Sequence, residues 1–298
     1  MATATITTRD GLRLELEHEA FGRRADPAVL LIMGTGTSML GWDADLCRLV
    51  TDQGYRVIRY DHRDVGRSTK IAMPGDPIDA VLSAFGTGDA APPYSVRDLA
   101  ADAVGLLDAL GVGRAHLVGA SLGGIVAQWI AIDHGDRVAS LTVASSTTCE
   151  PGIGQPTAAA VDALLAPAGT TLPEFVEAQV ALRAAIGGPR VDVAHVRAQA
   201  AAMWHHAEGP QNRLHHLAAL VHAPPTWPHL GEVEAPTLVV HGAVDPVVDP
   251  SGGRRIAEGI AGAELLVVDD LGHDLPPSVW PVLVDALVRH LRAAAART

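Results

Sequence analysis

The chain has 298 residues, 48% hydrophobic and 19% charged, with 30 glycines and 20 prolines spread along it. High apolar content excludes a disordered chain, the lack of a glycine period excludes a collagen, and the scattered breakers exclude a coiled coil, which leaves a globular protein of one large or two small domains. A net charge of -12, with Lys70 the only lysine, argues against nucleic acid as a partner and reads as a solvated acidic surface, because no block of like charges occurs.

The first ten residues are polar and alternating, with no basic segment followed by an apolar one, and the apolar runs are strand-sized. A cytoplasmic location and no membrane association are therefore expected. Cys47 and Cys149 have neither metal-ligand spacing nor the spacing of a disulfide framework, and read as ordinary buried thiols.

In chain order, alternation over 3–8 and 12–17 predicts an antiparallel hairpin of edge strands, broken at Asp10-Gly11. An apolar run over 28–33, a helical pattern over 43–53 and a second run over 56–60 give a strand, a helix and a strand. After a Gly/Pro-rich insertion (73–93), the spacing of Val96, Leu99, Ala100, Val104, Leu107 and Leu110 predicts a helix. A strand over 115–119, a helix over 121–134 and a strand over 138–145 follow. From 148 to 230 strand patterns vanish, and Ala-rich helical segments alternate with Gly and Pro breakers. The βα rhythm returns with a strand at 236–241, a helix near 252–260, a strand at 263–268 and a closing helix over 278–296. The expected architecture is α/β: a mostly parallel central sheet with helices on both faces, built from 1–147 and 231–298, and interrupted between strands six and seven by a helical cap, 148–230.

The strongest chemical signal is Gly119-Ala120-Ser121-Leu122-Gly123 between a strand and a helix, which fits the nucleophile elbow Gly-x-Ser-x-Gly. A sharp strand-to-helix turn strains the serine, and its backbones pass only if residues two positions either side lack side chains. The helix N-terminus places the Leu122 N–H toward a developing oxyanion. A serine hydroxyl needs a base, and the base an orienting carboxylate. Asp245 lies in the loop after the strand at 236–241, His273 in the loop after the last strand, and the order Ser121, Asp245, His273 is that of α/β hydrolases. Asp249, in a second Asp-Pro, is a rival acid farther from the strand end. The other oxyanion donor is expected in Met33-Gly34-Thr35-Gly36, from the N–H of Thr35.

With these motifs the chain resembles an α/β-hydrolase-fold serine hydrolase over essentially its whole length. Asp61-His62-Arg63-Asp64-Val65-Gly66-Arg67-Ser68 is similar to that superfamily's Asp-x-Arg-Gly-x-Gly-x-Ser loop, with Asp64 where glycine is usual. This segment, together with Leu31-Ile32-Met33-Gly34, Leu40-Gly41-Trp42 and Gly272-His273-Asp274-Leu275-Pro276, resembles the aclacinomycin methylesterase group of anthracycline-tailoring hydrolases. The resemblance implies a cofactor-free esterase whose partner is a small-molecule ester, with a polyketide methyl ester as one substrate class. A perhydrolase or haloperoxidase, a lactone or carbon–carbon bond hydrolase, and a non-catalytic small-molecule-binding relative share the same sequence features. Met33, Gly34, Trp42 and Trp204 are expected substrate contacts. The cap sequences Met203-Trp204-His205-His206 and Leu214-His215-His216 invite a metal reading. However, adjacent helical residues point about 100° apart and no carboxylate or cysteine completes a tetrahedral set, so a polar cap surface is expected there and no metal.

Overall fold

A computed structural model of the protein describes residues 1–73, 75–87, 89–209 and 213–296. Residues 74, 88, 210–212 and 297–298, which fall within the expected insertion, cap and final core segment, lie outside the described residues. Eight strands form one sheet: β1 (Ala2–Thr7), β2 (Arg13–Phe21), β3 (Ala28–Ile32), β4 (Arg56–Tyr60), β5 (Ala115–Ala120), β6 (Val138–Ala144), β7 (Thr237–Gly242) and β8 (Glu264–Val268). Their order is β1-β2-β4-β3-β5-β6-β7-β8. The strands from β4 onward in that order run parallel, and β1 and β2 are antiparallel. The fold is that of an α/β hydrolase, as the sequence predicts. Only β1 of the opening hairpin is an edge strand: β2 continues past the hairpin register so that His18 to Phe21 pair with β4, which places it inside the sheet.

The helices are α1 (Ala44–Thr51), α2 (Pro77–Ser83), α3 (Val96–Ala109), α4 (Leu122–Asp133), α5 (Ala158–Leu165), α6 (Leu172–Ile186), α7 (Val193–Ala207), α8 (Leu214–Val221), α9 (Ser251–Gly259) and α10 (Trp280–Ala295). Strand β3 shows why both sheet faces are covered: Ala28, Leu30 and Ile32 join the core under α3 and α4, while Val29 and Leu31 join the core under α1 and α10. A strand buried on both sides reads as an unbroken apolar run, which is how it stands in the sequence. Helix α3 begins with a reciprocal cap between Ser95 and Asp98. Helix α4 is buried from Leu122 to Ala131, so its amphipathic pattern disappears.

Helices α5 to α8 lie between β6 and β7. The insertion at 73–93 also carries structure that its Gly/Pro content hides: α2, capped by Asp76, packs Ala80 and Val81 on Leu217 and Ala218 of α8. The helical layer that includes α8 is therefore built from two separate stretches of the chain.

The loop after β4 is anchored by a buried ion pair. Arg63 donates from Nε and Nη2 to the two carboxylate oxygens of Asp102 on α3, at 2.7 and 2.6 Å, and its guanidinium lies 5.0 Å from the Tyr94 ring centre. Removing one partner of such a pair leaves a charge without water or counter-ion. Asp102→Ala is expected to destabilise the fold by about 3–5 kcal/mol in urea titration, and the Arg63→Met, Asp102→Ala double variant to recover part of that loss.

Candidate active site

Strand β5 turns into α4 at Ser121, whose φ of 55° and ψ of −122° place it in a strained region. A Cβ on Gly119 would fall 2.1 Å from the Gly123 carbonyl oxygen, and one on Gly123 would fall 2.1 Å from that of Ile32. The two glycines are therefore steric requirements of the turn. Ser121 is fixed by its own N–H donating to Ala144 O at 2.9 Å and by Ser146 Oγ donating to its carbonyl at 2.8 Å.

Ser121, His273 and Asp245 lie in one hydrogen-bonded chain. His273 Nε2 is 3.0 Å from Ser121 Oγ, and Nδ1 is 2.7 Å from Asp245 Oδ2. The other carboxylate oxygen of Asp245 accepts the N–H groups of Val247 and Val248, both at 2.9 Å, so the buried acid is held from two sides. The rival, Asp249, is exposed and accepts the Ser251 N–H at 2.9 Å; the Ser251 side chain first, and then this N–H, hold its carboxyl below the usual range. The His273 loop rests on the end of α6: the His273 N–H donates to Ile186 O at 2.7 Å and the Gly272 N–H to Gly187 O at 3.1 Å.

Thr35 and Leu122 both line the cavity above Ser121, and neither amide donates to a protein acceptor among the described residues. A Cβ on Gly34 would lie 3.1 Å from Ser121 Cβ, which measures how closely the 33–36 loop passes the serine. The cavity has a volume of about 700 Å³, and Phe175, Leu182, Val196, Met203, Leu217 and Val248 form much of its apolar wall. Met33 and Gly34 line it as expected. Trp204 and Trp42 do not. Trp204 packs behind the wall with its ring 5.4 Å from that of Phe175, so Phe175 and Met203 face the space in its place. Trp42 is buried against Leu31 and Leu46.

A family model described as alpha/beta hydrolase fold matches residues 27–190, more than half of the chain, and one described as TAP-like protein matches 216–293. Rhodomycin D methylesterase DauP of Streptomyces sp. (strain C5) is 30% identical over 319 residues, covering 99% of each chain. Rhodomycin D methylesterase DnrP of Streptomyces peucetius is 30% identical over 318 residues with the same coverage. The chain belongs to the α/β-hydrolase family. Among solved structures, a hydrolase from Pseudomonas aeruginosa PA01 superposes on this hydrolase with a TM-score of 0.66 at 26% identity, covering 98% of each chain. No helix among the described residues is long and apolar enough to cross a membrane.

The cap histidines depart from the expected polar surface. Of the four histidines in the two His-His pairs, only His205 is exposed. His206 Nε2 reaches Asp61 at 2.6 Å, His215 Nδ1 reaches Asp64 at 2.9 Å, and His216 Nε2 donates to Arg63 O at 2.9 Å, all three rings being buried. They clasp the loop after β4. The sequence held the signal in two places, an Asp-His-Arg-Asp run and two His-His pairs in the cap, but nothing in one dimension joins them.

Burial pushes His62 down to about 3 and His216 to about 4, so both rings are neutral at ordinary pH. The unfolded chain protonates them below about 6.5, whereas the folded chain resists until pH 4 and below. Stability from both is therefore fully present above pH 6.5 and is lost as pH falls toward their folded values. In urea melts, the midpoint of this hydrolase is expected to fall steadily from pH 6.5 to 4, and that of His216→Asn to fall less steeply.

Proposed function

We propose that this ester hydrolase is a serine methylesterase of bulky apolar substrates, with residues 148–230 as its cap. The observation that carries the reading is the hydrogen-bonded chain Ser121, His273, Asp245, which opens into a large, mostly apolar cavity. The full-length likeness to rhodomycin D methylesterases supports the substrate class, a polycyclic polyketide methyl ester.

In the proposed reaction Ser121 Oγ attacks the ester carbonyl while His273 Nε2 takes its proton. Asp245 holds the imidazole by Nδ1 and stabilises the imidazolium that forms. The tetrahedral oxyanion is received by the N–H groups of Thr35 and Leu122, whose fixed positions make them more effective than reorienting water. His273 returns the proton to the departing methoxide, giving methanol and an acyl-serine. It then draws a proton from water, which attacks the acyl group, and passes that proton to Ser121 Oγ as the acyl–Oγ bond breaks and the free acid leaves. No step needs a cofactor.

Turnover of p-nitrophenyl acetate and butyrate tests the mechanism. Ser121→Ala is expected to lower kcat on the order of 10³-fold or more with an unchanged melting temperature; near wild-type activity sinks the proposal. Asp245→Asn should cost far more than Asp249→Asn, and the reverse ranking reassigns the acid. A screen of polyketide methyl esters against simple methyl esters and lactones tests the substrate class. There, Phe175→Ala should raise KM for the polycyclic ester well beyond its effect on the acetate.

A further inference from the structure

The loop that carries Gly34 and Thr35 is held at both ends by buried histidines. At its start, His62 Nε2 is 3.1 Å from Met33 O, and its Nδ1 is 3.3 Å from the Tyr60 hydroxyl. At its end, Gly36 N–H donates to His216 Nδ1 at 3.1 Å, and the opposite ring nitrogen lies 2.9 Å from Arg63 O. The backbone partners fix the His216 tautomer: a carbonyl accepts only from a protonated nitrogen, and a backbone N–H donates only to an unprotonated one. His216 is therefore neutral, with a donor on Nε2 and an acceptor on Nδ1, while His62 donates from Nε2 to Met33 O and is kept neutral by its burial. They meet edge to face with centres 5.6 Å apart, which makes the two clamps one buried unit.

His216 belongs to α8 of the cap, 180 residues from Gly36. The approach is close enough that Gly36, at φ +61°, admits no Cβ: one would fall 2.2 Å from Arg213 Cβ. The far end of His216 is equally rigid, because Arg63 is locked to Asp102 by two hydrogen bonds of 2.7 and 2.6 Å.

We infer that His216 is a positioning residue for the oxyanion hole: by accepting the Gly36 N–H it fixes the loop so that the Thr35 N–H faces the developing oxyanion, and so couples the cap to the rate of ester cleavage. This rests on the acyl-transfer reading above. A loop free to drift by about 1 Å forfeits on the order of 10²-fold in rate, and the loss appears in kcat because the oxyanion exists only in the transition state.

Two replacements of the same residue divide its two bonds. His216→Asn puts an amide oxygen where Nδ1 stands and keeps an acceptor for Gly36. His216→Gln puts an amide N–H where Nε2 stands and keeps the bond to Arg63 O. With p-nitrophenyl acetate, H216Q is expected to lose about 10- to 100-fold in kcat with KM within about twofold. H216N is expected to retain kcat within about threefold, even if both variants melt at similarly lowered temperatures. Equal losses in the two variants, or a loss expressed in KM, overturn the inference and leave His216 as packing. Should H216Q fail to fold, His216→Ala with added imidazole reads the same bond: recovery of kcat at constant KM supports the assignment, and no recovery overturns it. The two readings fail separately. An active Ser121→Ala removes the mechanism itself, whereas dependence on Ser121 together with an unimpaired H216Q removes only the role of His216.

Discussion

The site depends on a steric constraint at one turn. Ser121 leaves the sheet in a backbone conformation that costs of order 1–3 kcal/mol, and the turn closes only because 119 and 123 carry no side chain. Gly123 packs against the end of β3, where a Cβ would be 2.1 Å from Ile32 O and 2.7 Å from Met33 O. That contact sets where the next residues of the β3 loop can go. They pass close to the serine, where a Cβ on Gly34 would lie 3.1 Å from Ser121 Cβ, and Thr35 and Leu122 line the same cavity. Neighbouring β6 carries part of the strain through the bond from Ser121 N–H to Ala144 O.

Loops at strand ends are otherwise poorly fixed, and here helix ends fix them. The last turn of an α-helix leaves carbonyls without intrahelical donors. At the end of α6, Ile186 and Gly187 find theirs in the N–H groups of His273 and Gly272, so the helix end is stabilised by the loop that bears His273. Helix α8 does the same for the other loop through His216, with a side-chain acceptor in place of a carbonyl. Helices joined to the sheet in this way cannot shift as a rigid body without moving either the His273 loop or the 33–36 loop.

How much of this the sequence carries depends on the range of the interaction. The elbow, the order Ser121, Asp245, His273 and the buried strands are legible because each rests on local rules: glycine where backbones cross, apolar runs where a strand is covered on both faces, catalytic loops after strand ends. Helix α2 escapes because a short, Asp76-capped turn inside a Gly/Pro-rich stretch is stabilised by α8, more than 130 residues away, rather than by its own periodicity. Trp204 misleads for a related reason. A large aromatic in an Ala-rich helix has to pack somewhere, and only the position of Phe175 on α6 decides which of the two faces the cavity. The buried histidines are the least legible, since an imidazole reads as polar until its partners are known, and those partners lie about 140 to 180 residues away.

Asp64 shows how a departure from the family loop can be absorbed. The position has a φ of 70°, where glycine is unstrained and aspartate is among the few other residues tolerated. Its carboxylate accepts the Ile71 N–H at 2.6 Å and bonds His215 Nδ1 at 2.9 Å, contacts that glycine could not make. The backbone strain is thereby exchanged for a tie to α8, parallel to the tie from Asp61 to His206 on α7. With the cap anchored along the β4 loop, the cavity meets solvent where its lining is itself exposed, at Phe85 (74%) and Leu165 (49%). Both are large and apolar, so the mouth has the same character as the chamber, and the flat apolar ester proposed as substrate would lose contact with water progressively on its way to Ser121.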